Sequence, residues 1–177
     1  MTLESTNHFG IKVDSMFIIL NTIKNRLLGL FSFTLFFAPT FVQAETVSVL
    51  ILEGKCGSVL INGKSDDSCM GVLGNSVFDN GQVLFAFTLV KNDKASMLKF
   101  FGNGEHKVAT GENERIQQIS TVEYVTPQGR VSYAAVGQCK YQNPYMGVPV
   151  AILCNTETKA GVMRAAFITN GEEPISE

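Results

Sequence analysis

The 177-residue sequence contains no tryptophan and only two histidines. Because the indole ring is the largest amphipathic stacking surface among side chains, its absence weakens a carbohydrate-binding role. Of the two histidines, His8 lies in the N-terminal segment, so His106 is the only one downstream. A serine or cysteine nucleophile is most often activated by a histidine base. Nucleophilic catalysis is therefore poorly supported, and a histidine-rich metal site is excluded.

The sequence also lacks an excess of positive charge and lacks long apolar runs. It carries 14 basic and 16 acidic residues, for a formal net charge of −2. A sequence-independent nucleic-acid binder needs a basic surface that releases counterions, so we expect no nucleic-acid partner. The apolar runs are also shorter than the roughly 20 residues that span a bilayer as a helix. We therefore expect no membrane insertion of the mature chain, which is the part that remains after removal of the N-terminal segment described next.

The N-terminal segment has the order of features found in a secretory signal peptide. Lys24 and Arg26 precede an apolar run from Leu27 to Ala38, and Val42-Gln43-Ala44 ends the segment with small residues at the positions that a signal peptidase reads. Positive, then apolar, then small is the signal-peptide order. The segment Met1–Ala44 is therefore predicted to be a cleavable signal peptide, with an uncleaved anchor as the alternative.

This prediction bears on the start of the leader and on the size of the mature domain. Met16 offers an internal start that would give a leader of more ordinary length. Cleavage after Ala44 leaves residues 45–177, with 133 residues, 11 basic and 14 acidic side chains and 14 glycines. A chain of this size supports one domain with a substantial core. The predicted location is periplasmic or extracellular.

All four cysteines lie in the predicted mature domain, and an even number in an exported chain predicts disulfides. Three pairings are available to four cysteines. Cys56 with Cys69 and Cys139 with Cys154 is the favoured pairing, because each pair is close in sequence and brackets a turn-rich segment. Structural zinc sites take their thiolates from tight pairs such as C-x-x-C, which these spacings do not provide. Neither a metal nor a cofactor is expected.

Period-2 alternation dominates the mature sequence and predicts an all-β fold. Short strands separated by turn residues indicate a single antiparallel β-sandwich or small barrel of about seven to nine strands. Only Glu112–Ile119 could form a short helix. The strands are predicted over these segments: Thr46–Glu53, Gln82–Val90, Ser96–Phe101, Gln118–Thr126, Arg130–Tyr141, Val148–Asn155 and Gly161–Asn170.

Two short motifs resemble catalytic signatures without the context that the chemistry needs. Gly57 to Ser65 imitates a phosphate-binding loop, but it has five residues between its glycines instead of four and no helix pattern follows. Ser96-Met97-Leu98-Lys99 matches a serine–lysine pattern that requires a helix, whereas this segment is predicted as a strand. Carboxylate-based hydrolysis is the least favoured alternative; its candidate residues are Asp66, Asp67, Glu105, Glu112, Glu114 and Glu123.

One segment favours binding. Tyr141–Gly147 places Tyr141, Tyr145 and Met146 around a proline turn next to a predicted disulfide. Loops on rigid β scaffolds often carry recognition, and tyrosine is enriched in binding hot spots. The competing interpretation is that Tyr145 and Met146 cover the end of the core.

The resulting functional prediction is a non-enzymatic, exported domain that binds a protein partner and is inhibitor-like or envelope-associated. The alternative is a small-ligand carrier whose barrel cavity is lined by aromatic side chains from two strands: Phe85, Phe87, Phe100 or Phe101.

Overall fold

The computed structural model describes residues 44–176, and these residues form an antiparallel β structure. The predicted signal peptide lies outside the described residues. Within residues 44–176 no helix is long and apolar enough to cross a membrane. The strands, in chain order, are β1 (Thr46–Ile61), β2 (Lys64–Asp66), β3 (Cys69–Phe78), β4 (Gln82–Lys91), β5 (Lys94–Asn103), β6 (Lys107–Ala109), β7 (Glu114–Thr126), β8 (Gly129–Gln142), β9 (Ala151–Thr158), β10 (Gly161–Thr169) and β11 (Ile175–Ser176).

Eight of these strands close into an antiparallel barrel, which is the second of the two architectures predicted from the sequence. The order is β1-β3-β4-β5-β7-β8-β9-β10, and β10 pairs again with β1. The short strands β2 and β11 add to β1, and β6 adds to β7. The barrel thus has eight strands, within the predicted seven to nine, and closure removes the exposed edges of an open sheet.

Closure depends on β1 changing its partner half-way along its length. Thr46–Glu53 pairs with β3, whereas the residues from Gly54 to Leu60 pair with β10. Gly54 lies at the change of partner, opposite Thr169. A Cβ atom at position 54 would lie 2.1 Å from the carbonyl oxygen of Ile168, so only glycine permits this approach of two backbones.

The core lies inside the barrel and follows the predicted alternation. In β4, Val83, Phe85, Phe87 and Leu89 are buried and belong to one core cluster. Phe87 packs edge-to-face on Phe100 of β5, with ring centroids 5.7 Å apart. An edge-to-face pair of this kind stabilises beyond the area it buries.

Both disulfides have the favoured pairing. Cys139 and Cys154 lie directly opposite each other on β8 and β9, and both are fully buried. Cys56 and Cys69 join β1 to β3 and are half-buried. The first bridge therefore lies within a hairpin and inside the core, whereas the second bridge connects two neighbouring strands nearer the surface.

The structure corrects two details of the sequence reading. The segment Glu112–Ile119 does not form a helix, because β7 begins at Glu114 and buries Gln117 and Ile119 on one face. The segment Cys69–Phe78 is a full strand of the barrel, although no strand was expected there.

The two ends of the barrel differ in the length of their connections. At one end, named here the loop end, lie the connection from β5 to β7, which includes a short 3-10 helix (Gly104–His106), and the connection from β8 to β9. At the opposite end β4 to β5, β7 to β8 and β9 to β10 are joined by two-residue turns. The loop end therefore offers more surface of variable shape, which is where rigid scaffolds commonly place recognition.

Candidate functional site

The connection between β8 and β9, residues 143–150, is named here the β8–β9 loop. It contains a short 3-10 helix, Pro144–Met146. The side chain of Asn143 accepts a hydrogen bond from the backbone N–H of Tyr145 at 3.1 Å, which caps this helix. Gly147 follows with a φ of 69°, a left-handed conformation that glycine adopts without strain.

Both ends of the β8–β9 loop are tied to neighbouring elements. The backbone N–H of Asn143 donates to the carbonyl of Asn113 at 2.9 Å. At the other end, buried Val150 donates its N–H to the hydroxyl of Thr169 and accepts from the N–H of Thr169, both at 2.9 Å. The Cys139–Cys154 disulfide closes the hairpin below. The two ends of the loop are therefore fixed by covalent and hydrogen-bonded contacts at its base.

The tip of the β8–β9 loop exposes apolar side chains. Tyr145 is 54% exposed, Met146 44% and Val148 48%. None of the three belongs to the core cluster. The structure thus presents Tyr145 and Met146 as exposed side chains outside the core cluster.

Tyr141 has a different environment from the other two predicted site residues. It lies on β8 on the same inward face as Cys139, and its ring packs against Phe85 with centroids 5.3 Å apart. Burial raises the pKa of the Tyr141 hydroxyl above its ordinary value, although the neighbouring positive charge of Arg115 works in the opposite direction. The structure therefore brings Tyr145 and Met146 together and places Tyr141 at the inner wall of the loop end.

This raised pKa predicts a pH dependence that belongs to one tyrosine. The neutral phenol is favoured in the folded state, so its stabilising effect is complete below the unfolded pKa of about 10 and is lost as the pH rises through the folded pKa. Between the unfolded and the folded pKa of Tyr141, we expect the free energy of unfolding to fall less with rising pH in the Tyr141→Phe variant than in the parent protein. Urea unfolding followed at several alkaline pH values checks this, and parallel curves for the two proteins would contradict it.

Two surface cavities lie at the two ends of the β8–β9 loop. The first, of about 190 Å³, is named here the tyrosine cavity; its lining includes Lys107, Glu112, Arg115, Tyr141, Asn143 and Pro144. The second, of about 430 Å³, is named here the proline cavity; its lining includes Glu53, Lys55, Gly71, Pro149, Ile168 and Asn170. The loop therefore has the polar tyrosine cavity at one end and the less polar proline cavity at the other.

The outer wall beside the proline cavity also carries exposed apolar side chains. Ile168 of β10 is 53% exposed and Leu153 of β9 is 47% exposed. In the ladder between β9 and β10, Ile168 pairs with Ala151 and Leu153 pairs with Ala166, so Ile168 and Leu153 are diagonal neighbours flanked by small side chains. Contiguous exposed apolar side chains commonly mark interaction sites.

Sequence reasoning missed the polar residues behind the loop. Arg115 donates through one guanidinium nitrogen to the backbone carbonyls of Gly111, Glu112 and Glu114, which fixes the turn before β7. Gln117, also on the inward face of β7, is fully buried and donates to the carbonyls of Asn103 and Gln118, while its side-chain oxygen has no partner among the described residues. If residues 115 and 117 are assigned to a strand, their alternation with the apolar Ile119 places both side chains inward.

The alternative sites from the sequence gain no support from their positions. Phe85, Phe87 and Phe100 belong to the packed core, and Phe101 lies on the opposite face of β5 and is half-buried. His106 is exposed. Each of the two cavities is lined by a single acidic residue, so neither holds a carboxylate pair. Within residues 44–176, no three His, Cys, Asp or Glu side chains are grouped as metal ligands would be.

We find no match to this chain among protein-family models, curated proteins or solved structures.

Proposed function

We propose that this protein is an exported, non-enzymatic domain that binds a protein partner through the β8–β9 loop. The observation that carries the proposal is the exposure of Tyr145, Met146 and Val148 on a loop whose two ends are fixed. A loop that is already ordered loses little conformational freedom on binding, so its contacts stabilise a complex more efficiently.

The two disulfides support the location. They are the chemistry of an oxidising environment outside the cytosol. The order of charge, apolar run and small residues before residue 45 favours export by a signal peptide. We therefore propose a periplasmic or extracellular location for the mature protein.

The non-enzymatic role is supported by the composition of the two cavities. The tyrosine cavity holds one carboxylate, from Glu112, and the proline cavity holds one, from Glu53. Neither has a histidine, serine or free cysteine in its lining, so neither holds a serine or cysteine nucleophile activated by a histidine. A rigid apolar loop flanked by two depressions suits a protein that occupies a partner's surface, as an inhibitor or an envelope-associated accessory protein does.

This proposal predicts that shortening the side chains at the loop tip abolishes partner capture and leaves folding intact. In the double variant Tyr145→Ala and Met146→Ala we expect capture to fall at least tenfold, because exposed aromatic anchors dominate binding energy. The free energy of unfolding should change by only about 0.5 kcal/mol, since both side chains lie on the surface. Immobilised protein incubated with the extracytoplasmic fraction of its own source, followed by mass spectrometry, measures capture.

Val136→Ala is the matched control, because Val136 is 81% exposed on β8 and lies outside the loop. A captured protein that is retained by the parent and the Val136 control, and lost from the loop variant, supports the proposal. Equal recovery from all three proteins would exclude the loop as the binding surface.

A further inference from the structure

We infer that the tyrosine cavity is a binding site for a single carboxylate group. This inference goes beyond the proposed function, because it concerns a polar site beside the apolar loop tip and can be tested without a protein partner. It rests on the charges in the cavity, on the fixed donors that line it and on its size.

The charges that line the cavity leave one positive charge uncompensated. Lys107 and Arg115 are cationic and Glu112 is anionic. In the described part of the chain the ion pairs join Arg130 to Glu123 and Lys140 to Glu114, so none of the three is paired. A monoanionic carboxylate neutralises a net charge of one, whereas a phosphate group near its dianionic form would exceed it.

Arg115 presents a guanidinium that is already held in place. Its Nη1 donates to three backbone carbonyls, at 3.1 Å to Gly111, 3.4 Å to Glu112 and 2.9 Å to Glu114. Among residues 44–176 its other nitrogens make no hydrogen bond. The planar fork of a guanidinium matches a carboxylate, and a side chain that is fixed beforehand loses little entropy when it binds.

Tyr141 supplies a second fixed donor. Its ring is held against Phe85, and its hydroxyl has no hydrogen-bond partner in the described region. A tyrosine hydroxyl, with an ordinary pKa of about 10, is protonated at neutral pH and can donate to an anionic oxygen. Burial raises the pKa of Tyr141 further in the same direction. Donation from a neutral hydroxyl to a carboxylate is a charge-assisted hydrogen bond, one of the stronger kinds in proteins.

The size of the cavity limits the ligand to a small group. About 190 Å³ lies below the range of roughly 300–1,000 Å³ that holds a drug-sized molecule. It can take the end of one carboxylate-bearing chain. That group has two sources of the same chemistry: an aspartate or glutamate side chain of a protein that also contacts Tyr145, or a free small carboxylic acid.

The test is a titration of ¹⁵N-labelled protein, obtained by expressing and exporting the full chain, with three probes followed by NMR. The probes are propionate, N-acetyl-glutamate N′-methylamide and the neutral N-acetyl-glutamine N′-methylamide. We expect saturable shifts of the backbone amides of Lys107, Arg115 and Asn143 with a carboxylate probe and none with the glutamine probe. Tighter binding of the glutamate probe than of propionate assigns a protein side chain as the source, and tighter binding of propionate assigns a free acid.

Four variants connect the shifts to the cavity. Tyr141→Phe, which keeps the ring against Phe85, and Lys107→Gln should each weaken the carboxylate affinity about tenfold, the loss expected for one charge-assisted hydrogen bond or one close charge. Glu112→Gln should strengthen it. Lys94→Gln, at the first residue of β5 and at the opposite end of the barrel, is the control and should bind as the parent does.

Three results would overturn the inference. They are the absence of saturable shifts with both carboxylates, equal shifts with the glutamine probe, and parent-like affinity in the Tyr141 and Lys107 variants. Because Lys107 is an exposed residue of a short strand, its variant reports on binding even where Tyr141→Phe alters folding.

Discussion

Removing the Cys139–Cys154 disulfide, by replacing both cysteines with alanine, should lower the free energy of unfolding by about 3–5 kcal/mol. Opening a loop of about 15 residues costs about 3 kcal/mol through the greater freedom of the unfolded chain. Because both sulfur atoms are fully buried in the core, the alanine variant also loses packing contacts. Urea unfolding of the parent and the variant measures the difference.

The matched control is the alanine double variant of Cys56 and Cys69. Its sequence separation is 13, close to the 15 of the first bridge, so the contribution of chain entropy is nearly equal. Its cysteines are only half-buried, so less packing is lost. We expect a smaller destabilisation than in the first variant; an equal or larger one would contradict the core location of the Cys139–Cys154 bridge.

Replacing Gly54 with alanine should lower the free energy of unfolding by about 3 kcal/mol or more. The added Cβ would lie 2.1 Å from the carbonyl oxygen of Ile168 and 2.7 Å from the Cα of Thr169, so one of two paired backbones must move. Overpacking of this kind costs roughly 1–3 kcal/mol in side-chain cores, and backbone yields less easily than side chains. Thermal or urea unfolding measures the loss.

Gly74→Ala is the control for this prediction. Gly74 lies on the neighbouring strand β3, and a Cβ there meets only the Cβ of Ala86 at 3.7 Å, an ordinary contact. The Gly74 variant should be about as stable as the parent. Similar stability of the Gly54 variant would show that β1 does not change partners at this residue and that the barrel closes differently.

The sequence predicted strands well where side chains alternate strictly. In β4 large apolar residues occupy every second position, and in β8 the exposed Gln138 and Lys140 alternate with the inward Cys139 and Tyr141. The inward sets of both strands therefore follow from the pleat alone. The same alternation places Tyr141 inward with Cys139. The alternation therefore already predicts that Tyr141 faces the inside of the barrel and lies apart from Tyr145 in the loop.

The parts that were not predicted depend on distant contacts. In β3, Gly71 and Gly74 interrupt the apolar pattern, and the strand exists because β1 and β4 pair with it on both sides. The choice of barrel over sandwich depends on the pairing of β1 with β10, which joins residues more than 100 positions apart. Local propensity contains no information about such a pairing.

The helical alternative for Glu112–Ile119 failed for a similar reason. Ile116 and Ile119 have helical spacing, but the strand pairs with β8 from Glu114 onward and with β6 from Arg115 to Gln117. Pairing with two neighbours outweighs a weak periodicity of two residues. Because this strand faces Arg115 inward, the contribution of Arg115 to the lining of the tyrosine cavity was also not predicted from the sequence.

A photo-cross-linking experiment tests most directly whether the β8–β9 loop is the surface that contacts a partner. The residue p-benzoylphenylalanine is placed at position 145 in one protein and at position 136 in another, and each full chain is expressed and irradiated in its own source. We predict a discrete protein adduct from position 145 and no corresponding adduct from position 136. No adduct from position 145, or the same adducts from both positions, would contradict this.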